Sequence, residues 1–87
     1  MKLIIAIVRD IDNDKISNAL TTKNFKVTCI ASTGGLLRRG NSTLLIGLED
    51  SKVEAAVNII KDNSTPDSDN ENKGTLFVLD VDEYIQL

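Results

Sequence analysis

The segment from Ala31 to Gly47 holds residue types that together could bind an anion. Residues 31–40 of this segment contain three closely spaced glycines, which are Gly34, Gly35 and Gly40. Glycines permit positive φ angles and let main-chain N–H groups approach a ligand that a Cβ atom would hold away. Arg38 and Arg39 place two fixed positive charges beside those amides, and the segment has no carboxylate. This combination predicts an anion-binding turn.

The charges of the chain are distributed unevenly. The window from Lys15 to Leu48 has no acidic residue, although the whole chain carries a net charge of −3. Its basic residues are Lys15, Lys23, Lys26, Arg38 and Arg39. Such a window attracts anions locally but gives no overall positive field, so we expect neither nucleic acid nor a membrane as a partner. The alternative is that these side chains simply solvate different faces of the domain.

Residue types that usually carry enzyme chemistry are scarce in this sequence. The chain has no histidine, which excludes a Ser/His or Cys/His pair and removes the commonest general base and metal ligand. Its one cysteine, Cys29, lies in an apolar run, which favours a buried, inert thiol in a reducing compartment. No zinc-ligand spacing occurs. We therefore expect a regulatory binding module without a cofactor or metal, not an enzyme.

The length of the chain limits its organisation. Eighty-seven residues make a single domain, 1–87, with a core small enough for association between subunits to add to its stability. The N-terminal apolar run has six residues before Arg9, too few for a signal peptide or a membrane span. We expect a cytoplasmic protein, and its size favours a homo-oligomer.

The hydrophobic pattern of the first part of the chain predicts a strand, a helix and a second strand. Leu3 to Val8 is an unbroken aliphatic run of the kind that forms central strands. Asp12 or Asn13 could cap a helix that ends near Asn24. Residues 25–31 then alternate, with Phe25, Val27, Cys29 and Ala31 on one side and Lys26, Thr28 and Ile30 on the other. Such alternation predicts a half-buried strand.

The second part of the chain repeats this succession. Residues 43–48 return as the second strand of a hairpin, and Ser51 with Glu54 forms a capping-box pattern before an amphipathic helix. The segment 63–74 has no apolar residue and contains the only proline, which predicts a flexible polar loop. Residues 75–81 alternate as a fourth strand, and a short tail follows.

The element order is therefore βαββαβ, the ferredoxin-like arrangement of the α+β class. Two helices cover one face of a four-stranded antiparallel sheet in this arrangement. Right-handed crossovers place the first strand beside the last strand. The other face of the sheet carries isoleucine and leucine with no helix to cover it, so we expect that face to meet another subunit.

Three stretches of the sequence carry a resemblance to a known family. They read M-K-L-I-I-A-I-V at the start, N-F-K-V-T-C-I-A-S-T-G-G-L-L-R-R-G-N-S-T at the turn and I-G-L-E-D after it. These stretches resemble the PII-like cyclic di-AMP receptors of Gram-positive bacteria, and the resemblance covers residues 1 to about 62 without a gap. The final strand and the end of the chain from Tyr84 to Leu87 also resemble that family. These are signal-transduction proteins similar to the nitrogen-regulatory PII proteins. The resemblance implies a ferredoxin-like fold and a homotrimer.

The resemblance also implies a ligand and the residues that hold it. Proteins of this family bind cyclic di-AMP in clefts between subunits, and the matching positions are Asn24, Thr28, Gly35, Leu37, Asn41 and Gly47, with Gln86 from the tail. Lys26 and Leu36 occupy two further site positions, where the family usually has an arginine and an aromatic residue. The loop before the last strand is also shorter here than is usual.

The function implied by the resemblance is that of a non-enzymatic sensor. It would bind cyclic di-AMP, or a related adenine nucleotide, and pass the signal to a protein partner whose identity the sequence does not give. The alternative is a PII-like paralogue that has lost nucleotide binding and acts as a protein-interaction subunit.

Overall fold

The computed structural model describes residues 1–32, 40–65 and 74–87. Its elements are β1 (Lys2–Arg9), α1 (Asp10–Thr22), β2 (Lys26–Ser32), β3 (Asn41–Leu48), a 3₁₀ turn (Asp50–Lys52), α2 (Val53–Asp62) and β4 (Gly74–Asp80). The predicted order of strands and helices is confirmed, and the strand boundaries differ from the predicted ones by one or two residues. None of the helices in this part of the chain is long and apolar enough to cross a membrane.

The four strands form one antiparallel sheet in the order β2-β3-β1-β4. The predicted central position of the first strand, beside the last strand, is confirmed. Alternate residues of β1 point to opposite faces of the sheet. Those on the helix side are buried, namely Ile4, Ala6 and Val8. Those on the other side are half-buried, namely Leu3, Ile5 and Ile7.

The hydrophobic core lies between one face of this sheet and the two helices. α1 contributes Ile16 and Leu20, which lie one turn apart on a single face of the helix, and α2 contributes Ala56 and Ile60 in the same way. β3 adds Leu44, Ile46 and Leu48. Because both helices pack on this face, the opposite face of the sheet carries no helix from the described ranges. The predicted ferredoxin-like α+β fold is confirmed.

The first helix begins earlier than the sequence predicted. α1 starts at Asp10, directly after β1, and Arg9 at its cap position makes no side-chain capping hydrogen bond. Asp12 and Asn13 lie inside the helix, so the prediction that one of them caps it is wrong. The Asp10 N–H donates instead to the carbonyl of Gly40, with an N···O distance of 2.9 Å. A backbone contact from the hairpin therefore replaces the local side-chain cap.

The predicted capping box of the second helix is also wrong. Ser51 lies in the 3₁₀ turn that precedes α2, and neither the turn nor the helix has a side-chain capping hydrogen bond. The turn is closed by the backbone, where Lys52 N–H donates to the carbonyl of Glu49 at 2.9 Å.

The edge strand β2 contains an irregularity in its pairing with β3. Cys29 pairs with Leu44 and Ala31 with Thr43, so the register shifts between them. Since successive β3 residues point to opposite faces, Ala31 lies on the face opposite Cys29, and the predicted alternation is wrong at this point. Cys29 is exposed, not buried as predicted, because an edge strand lacks a neighbour on one side. Asn13 Nδ2 donates to its Sγ at 3.9 Å.

The outer strand β4 is joined to β1 by an ion pair at its end. Lys2 and Asp80 are partners in the register, and Lys2 Nζ donates to the Asp80 carboxylate. This hydrogen bond and the charge of Lys2 hold the pKa of Asp80 below its ordinary value. The same contact raises the pKa of Lys2 above its ordinary value.

Replacing Asp80 with asparagine should lower the Tm slightly at neutral pH, because both side chains are exposed and water screens the pair. Folding lowers the pKa of Asp80, so the ion pair stabilises the folded state at pH values above the ordinary carboxyl pKa of about 4. This contribution is lost as the pH falls through the pKa that Asp80 has in the folded state. On the alkaline side it is lost as the pH rises through the raised pKa of Lys2. Melts of the parent and Asp80→Asn should therefore converge in acid; an equal difference at every pH would contradict this.

Candidate ligand-binding groove

A groove of about 300 Å³ lies on the helix-free face of the sheet. Its lining residues come from three adjacent strands and from both ends of the chain: Met1, Leu3, Lys26, Thr28, Leu45, Gly47, Val81 and Tyr84. The strand register explains how they meet. Leu3 pairs with Gly47, which pairs with Lys26, so one row of residues crosses the three strands. Thr28 pairs with Leu45 in the next row on the same face.

The composition of this groove combines an apolar floor with a polar rim. Leu3 and Leu45 supply aliphatic surface from the two central strands. Lys26 and Thr28 are exposed on the edge strand β2, where they add a positive charge and a hydroxyl group. No carboxylate is among the lining residues. The arrangement can therefore receive a flat apolar group on its floor and an anionic group at its rim.

Gly47 leaves room that the terminal methyl group of Met1 partly fills. A Cβ atom at position 47 would lie 3.1 Å from Met1 Cε, which is closer than an ordinary van der Waals contact. The N-terminal ammonium group of Met1 is held by Asp50 Oδ1 at 3.0 Å. The first residue of the chain is thus fixed as one wall of the groove.

A second cavity of about 220 Å³ adjoins the first at the end of the sheet and shares Lys26 and Gly47 with it. Its other lining residues are Lys23, Asn24, Phe25, Leu48, Glu49 and Lys52. Asn24 has a φ of 69°, a left-handed conformation that asparagine adopts more readily than most residues. This conformation lies between the end of α1 and the start of β2. The fold therefore requires at position 24 a residue that tolerates a positive φ, whether or not Asn24 contacts a ligand.

The electrostatic character of the second cavity is positive. Three lysines and one glutamate line it, and none of the lysines is in an ion pair with another described residue. Lys26 belongs to the lining of both cavities. The two cavities therefore offer positive charge and apolar surface close together at one end of the sheet.

The structure brings together four of the residues that the sequence predicted for the site. Asn24, Lys26, Thr28 and Gly47 line the two adjoining cavities. Asn41 does not join them, because it lies at the opposite end of β3, beside Arg9. Six strand positions separate Asn41 from Gly47, which corresponds to about 20 Å.

The remaining predicted site residues divide into two sets. Gln86 is exposed in the tail and does not line either cavity. Gly35, Leu36 and Leu37 fall within 33–39, outside the described residues. The predicted flexible loop 63–74 likewise lies outside them from 66 to 73.

Sequence reasoning missed the contributions of the chain ends. Met1 and Tyr84 line the groove, yet neither was predicted as a site residue, although both stand in stretches that resemble the family. Two features of the sequence pointed to Tyr84 only weakly. It is the only tyrosine of the chain, and it stands in a tail without regular structure. Leu3 and Leu45 could be predicted to face away from the helices, but not to form the floor of a cavity.

A network of buried polar contacts holds the far end of β3 against the start of α1. Asp10 is 3% exposed, and its carboxylate accepts a hydrogen bond from Ser42 Oγ. The same residue donates its N–H to Gly40. The backbone on either side of Asn41 is thereby tied to the first turn of the helix.

A second part of this network surrounds Asp12, which is 1% exposed. Its Oδ1 accepts hydrogen bonds from Thr65 N–H at 3.1 Å and from Thr65 Oγ1 at 2.5 Å. Its Oδ2 lies 3.4 Å from Arg9 Nη2, which also donates to the carbonyl of Thr65. Thr65 is the last described residue after α2, so this contact fastens the chain there to α1.

The fold and the groove together define a small α+β domain with a lined groove on an open sheet face. Comparison with protein families identifies which domain it is. The family described as cyclic-di-AMP receptor matches residues 1–86, so this chain belongs to that family. The resemblance seen in the sequence is thereby confirmed, and the family is one of receptors, not of enzymes.

A solved structure shows the same fold over nearly the whole chain. It is the crystal structure of a functionally unknown protein from Pediococcus pentosaceus. The two sequences are 32% identical, and the structures superpose with a TM-score of 0.80 over 99% of this chain and 96% of that chain.

Proposed function

We propose that this protein is a signal-transduction sensor, without enzymatic activity of its own, that binds cyclic di-AMP or a related adenine nucleotide. In this proposal the nucleotide lies in clefts between the subunits of a homotrimer in the cytoplasm, and its binding is relayed to a protein partner. The observation that carries the proposal is the groove in which Lys26, Thr28 and Gly47 meet on the open sheet face. Membership of a cyclic-di-AMP receptor family supports the choice of ligand.

The groove suits the parts of such a nucleotide. A purine has two apolar faces, which the aliphatic floor of Leu3 and Leu45 can cover. A phosphate is an acceptor that a lysine ammonium group and a threonine hydroxyl can both reach as donors. Lys26 is a compact point charge, not the planar fork of an arginine, so we assign it to a phosphate and not to a base edge.

The trimeric arrangement is supported by the exposed apolar surface on the helix-free face. Phe77 and Leu79 are 50% and 45% exposed there, and they adjoin the half-buried Ile5 and Leu3 of β1. An apolar surface of this kind in a chain of this size favours an interface between subunits. In our proposal, Asn41 completes the site from a neighbouring subunit together with the predicted site residues Gly35, Leu36 and Leu37, since Asn41 lies far from the groove of its own chain.

The test is a calorimetric titration of the purified protein with cyclic di-AMP, cyclic di-GMP, AMP and ATP, beside a light-scattering measurement. We expect heat with cyclic di-AMP and a mass near three times 9.5 kDa. A monomer at micromolar concentration would contradict the assembly. No heat and no thermal shift with any of the four nucleotides would contradict the ligand.

The second candidate is a paralogue that has lost nucleotide binding and acts as a protein-interaction subunit. Lys26 favours it, because the family usually has an arginine at this position and a lysine cannot make the same bidentate contact. The same titration separates the two candidates. A trimer that binds none of the nucleotides would support this one.

A further inference from the structure

Tyr84 is the one aromatic side chain among the residues that line the groove on the helix-free face. It stands in the tail after β4. The start of this tail is fixed beside β1, because Val81 N–H donates to the carbonyl of Met1 at 3.1 Å. Three residues further on, Tyr84 lines the groove together with Lys26 and Thr28 of β2.

The environment of Tyr84 gives it no evident role in stabilising the fold. Its side chain is 59% exposed and belongs neither to the core nor to the residues packed against it. Its hydroxyl group makes no hydrogen bond within the described ranges of the chain. Within a single chain, the fold therefore leaves this aromatic ring free to contact a ligand in the groove.

We propose that Tyr84 is a specificity-determining residue that stacks its ring on one purine of the bound nucleotide. This inference rests on the proposed function of the groove. The aliphatic side chains of Leu3 and Leu45 line the groove from the two central strands, and Tyr84 adds an aromatic surface to the same lining from the tail. A planar base can contact both, and aromatic rings stack on bases of any sequence because every base presents a π face.

Lys26 and Thr28 then determine the orientation of the ligand. Both lie on β2 and line the same groove as Tyr84. A nucleotide whose base stacks on the ring would therefore have its phosphate near these two donors. The tail thus contributes the base contact and the edge strand contributes the phosphate contact. Of the two, the base contact distinguishes a purine nucleotide from a simple anion.

Titration of three tail variants with cyclic di-AMP tests this role. Tyr84→Leu should weaken binding about tenfold, since it keeps apolar volume but removes the ring. Tyr84→Phe should bind within about twofold of the parent, because stacking does not need the hydroxyl group. Ile85→Ala is the matched control; Ile85 is the next residue, is 69% exposed and does not line the groove, so its affinity should be unchanged.

A spectroscopic measurement reports on the contact directly. Tyr84 is the only tyrosine and the chain has no tryptophan, so the intrinsic fluorescence of the protein comes chiefly from this side chain. Stacking on adenine should quench it in proportion to occupancy. Free N-acetyltyrosinamide at the same nucleotide concentrations corrects for light absorbed by the ligand.

The possible outcomes distinguish this inference from the proposed function. If the parent binds cyclic di-AMP with heat but Tyr84→Leu binds equally well and the fluorescence is unchanged, the role of Tyr84 is overturned and the function stands. If no nucleotide binds the parent, both are overturned. Thermal melts of Tyr84→Leu that match the parent exclude a folding defect as the cause of weaker binding.

Discussion

Asp12→Ala should lower the free energy of unfolding by about 3 kcal/mol, the largest effect we expect from a single polar substitution in this chain. The Asp12 carboxylate is buried, accepts two hydrogen bonds from Thr65 and lies beside the Arg9 guanidinium. Its removal leaves the Thr65 donors without their acceptor and takes the counter-charge from a mostly buried arginine. Urea unfolding, at one fixed protomer concentration, measures the loss.

A second variant separates the contribution of the Asp12 charge to stability from that of its hydrogen bonds, and a third variant serves as a control. Asp12→Asn keeps an oxygen that can accept from Thr65 but removes the charge, so it should lose less stability than Asp12→Ala. Glu83→Ala removes an exposed carboxylate from the tail and should change stability by no more than about 0.5 kcal/mol. If Asp12→Ala unfolds like Glu83→Ala, the contacts of Asp12 do not stabilise the fold.

The second large effect that we expect is on ligand binding. Its test uses two variants, measured first separately and then as a mixture. Thr28→Ala and Asn41→Ala should each weaken cyclic di-AMP binding by about 1 to 3 kcal/mol, because each removes a hydrogen bond to a charged phosphate. Thr28 lines the groove, whereas Asn41 is at the other end of β3. A single chain therefore does not bring both side chains to one ligand.

If the site lies between subunits, mixing the two variants should restore part of the binding. In a trimer reassembled from equal amounts, about a quarter of the sites combine an intact Thr28 from one subunit with an intact Asn41 from its neighbour. Calorimetry should then show a fraction of sites with the parent affinity. Mixed protein that binds no better than either variant would place the two residues in separate sites, or Asn41 in none.

The fold could be predicted from the sequence because its strands and helices have strong local patterns. The unbroken aliphatic run of β1 requires apolar contacts on both faces, which only a central strand provides. The four-residue spacing of Ile16 and Leu20 places both side chains on one face of a helix. These features depend on residues close together in the chain, so they can be recognised from the sequence without knowledge of the fold.

The errors arose where distant residues decide the local structure. The carboxylate of Asp12 suggested a helix cap, but it accepts hydrogen bonds from Thr65, far along the chain. The neighbouring carboxylate of Asp10 likewise accepts from the distant Ser42. A local pattern cannot show such partners. The exposure of Cys29 follows from the edge position of β2 and from its register shift, neither of which an alternating pattern reveals.

The candidate site was predictable only in part for a similar reason. Asn24, Lys26, Thr28 and Gly47 were placed by resemblance to a family, and the register of the sheet brings them together. Tyr84 could not be placed, because a tail without regular structure has no periodicity that would fix the direction of its side chains.

The position of Met1 has a practical consequence for how the protein is produced. Its side chain forms a wall of the groove and its ammonium group is held by Asp50. An affinity tag fused ahead of Met1 would abolish that charge and place foreign residues at the ligand entrance. A tag after Leu87 would add foreign residues three positions after Tyr84, in the same tail. Affinities measured on tagged protein should therefore be compared with those of protein that begins at Met1, since weak binding by the fused version could come from the tag and not from the groove.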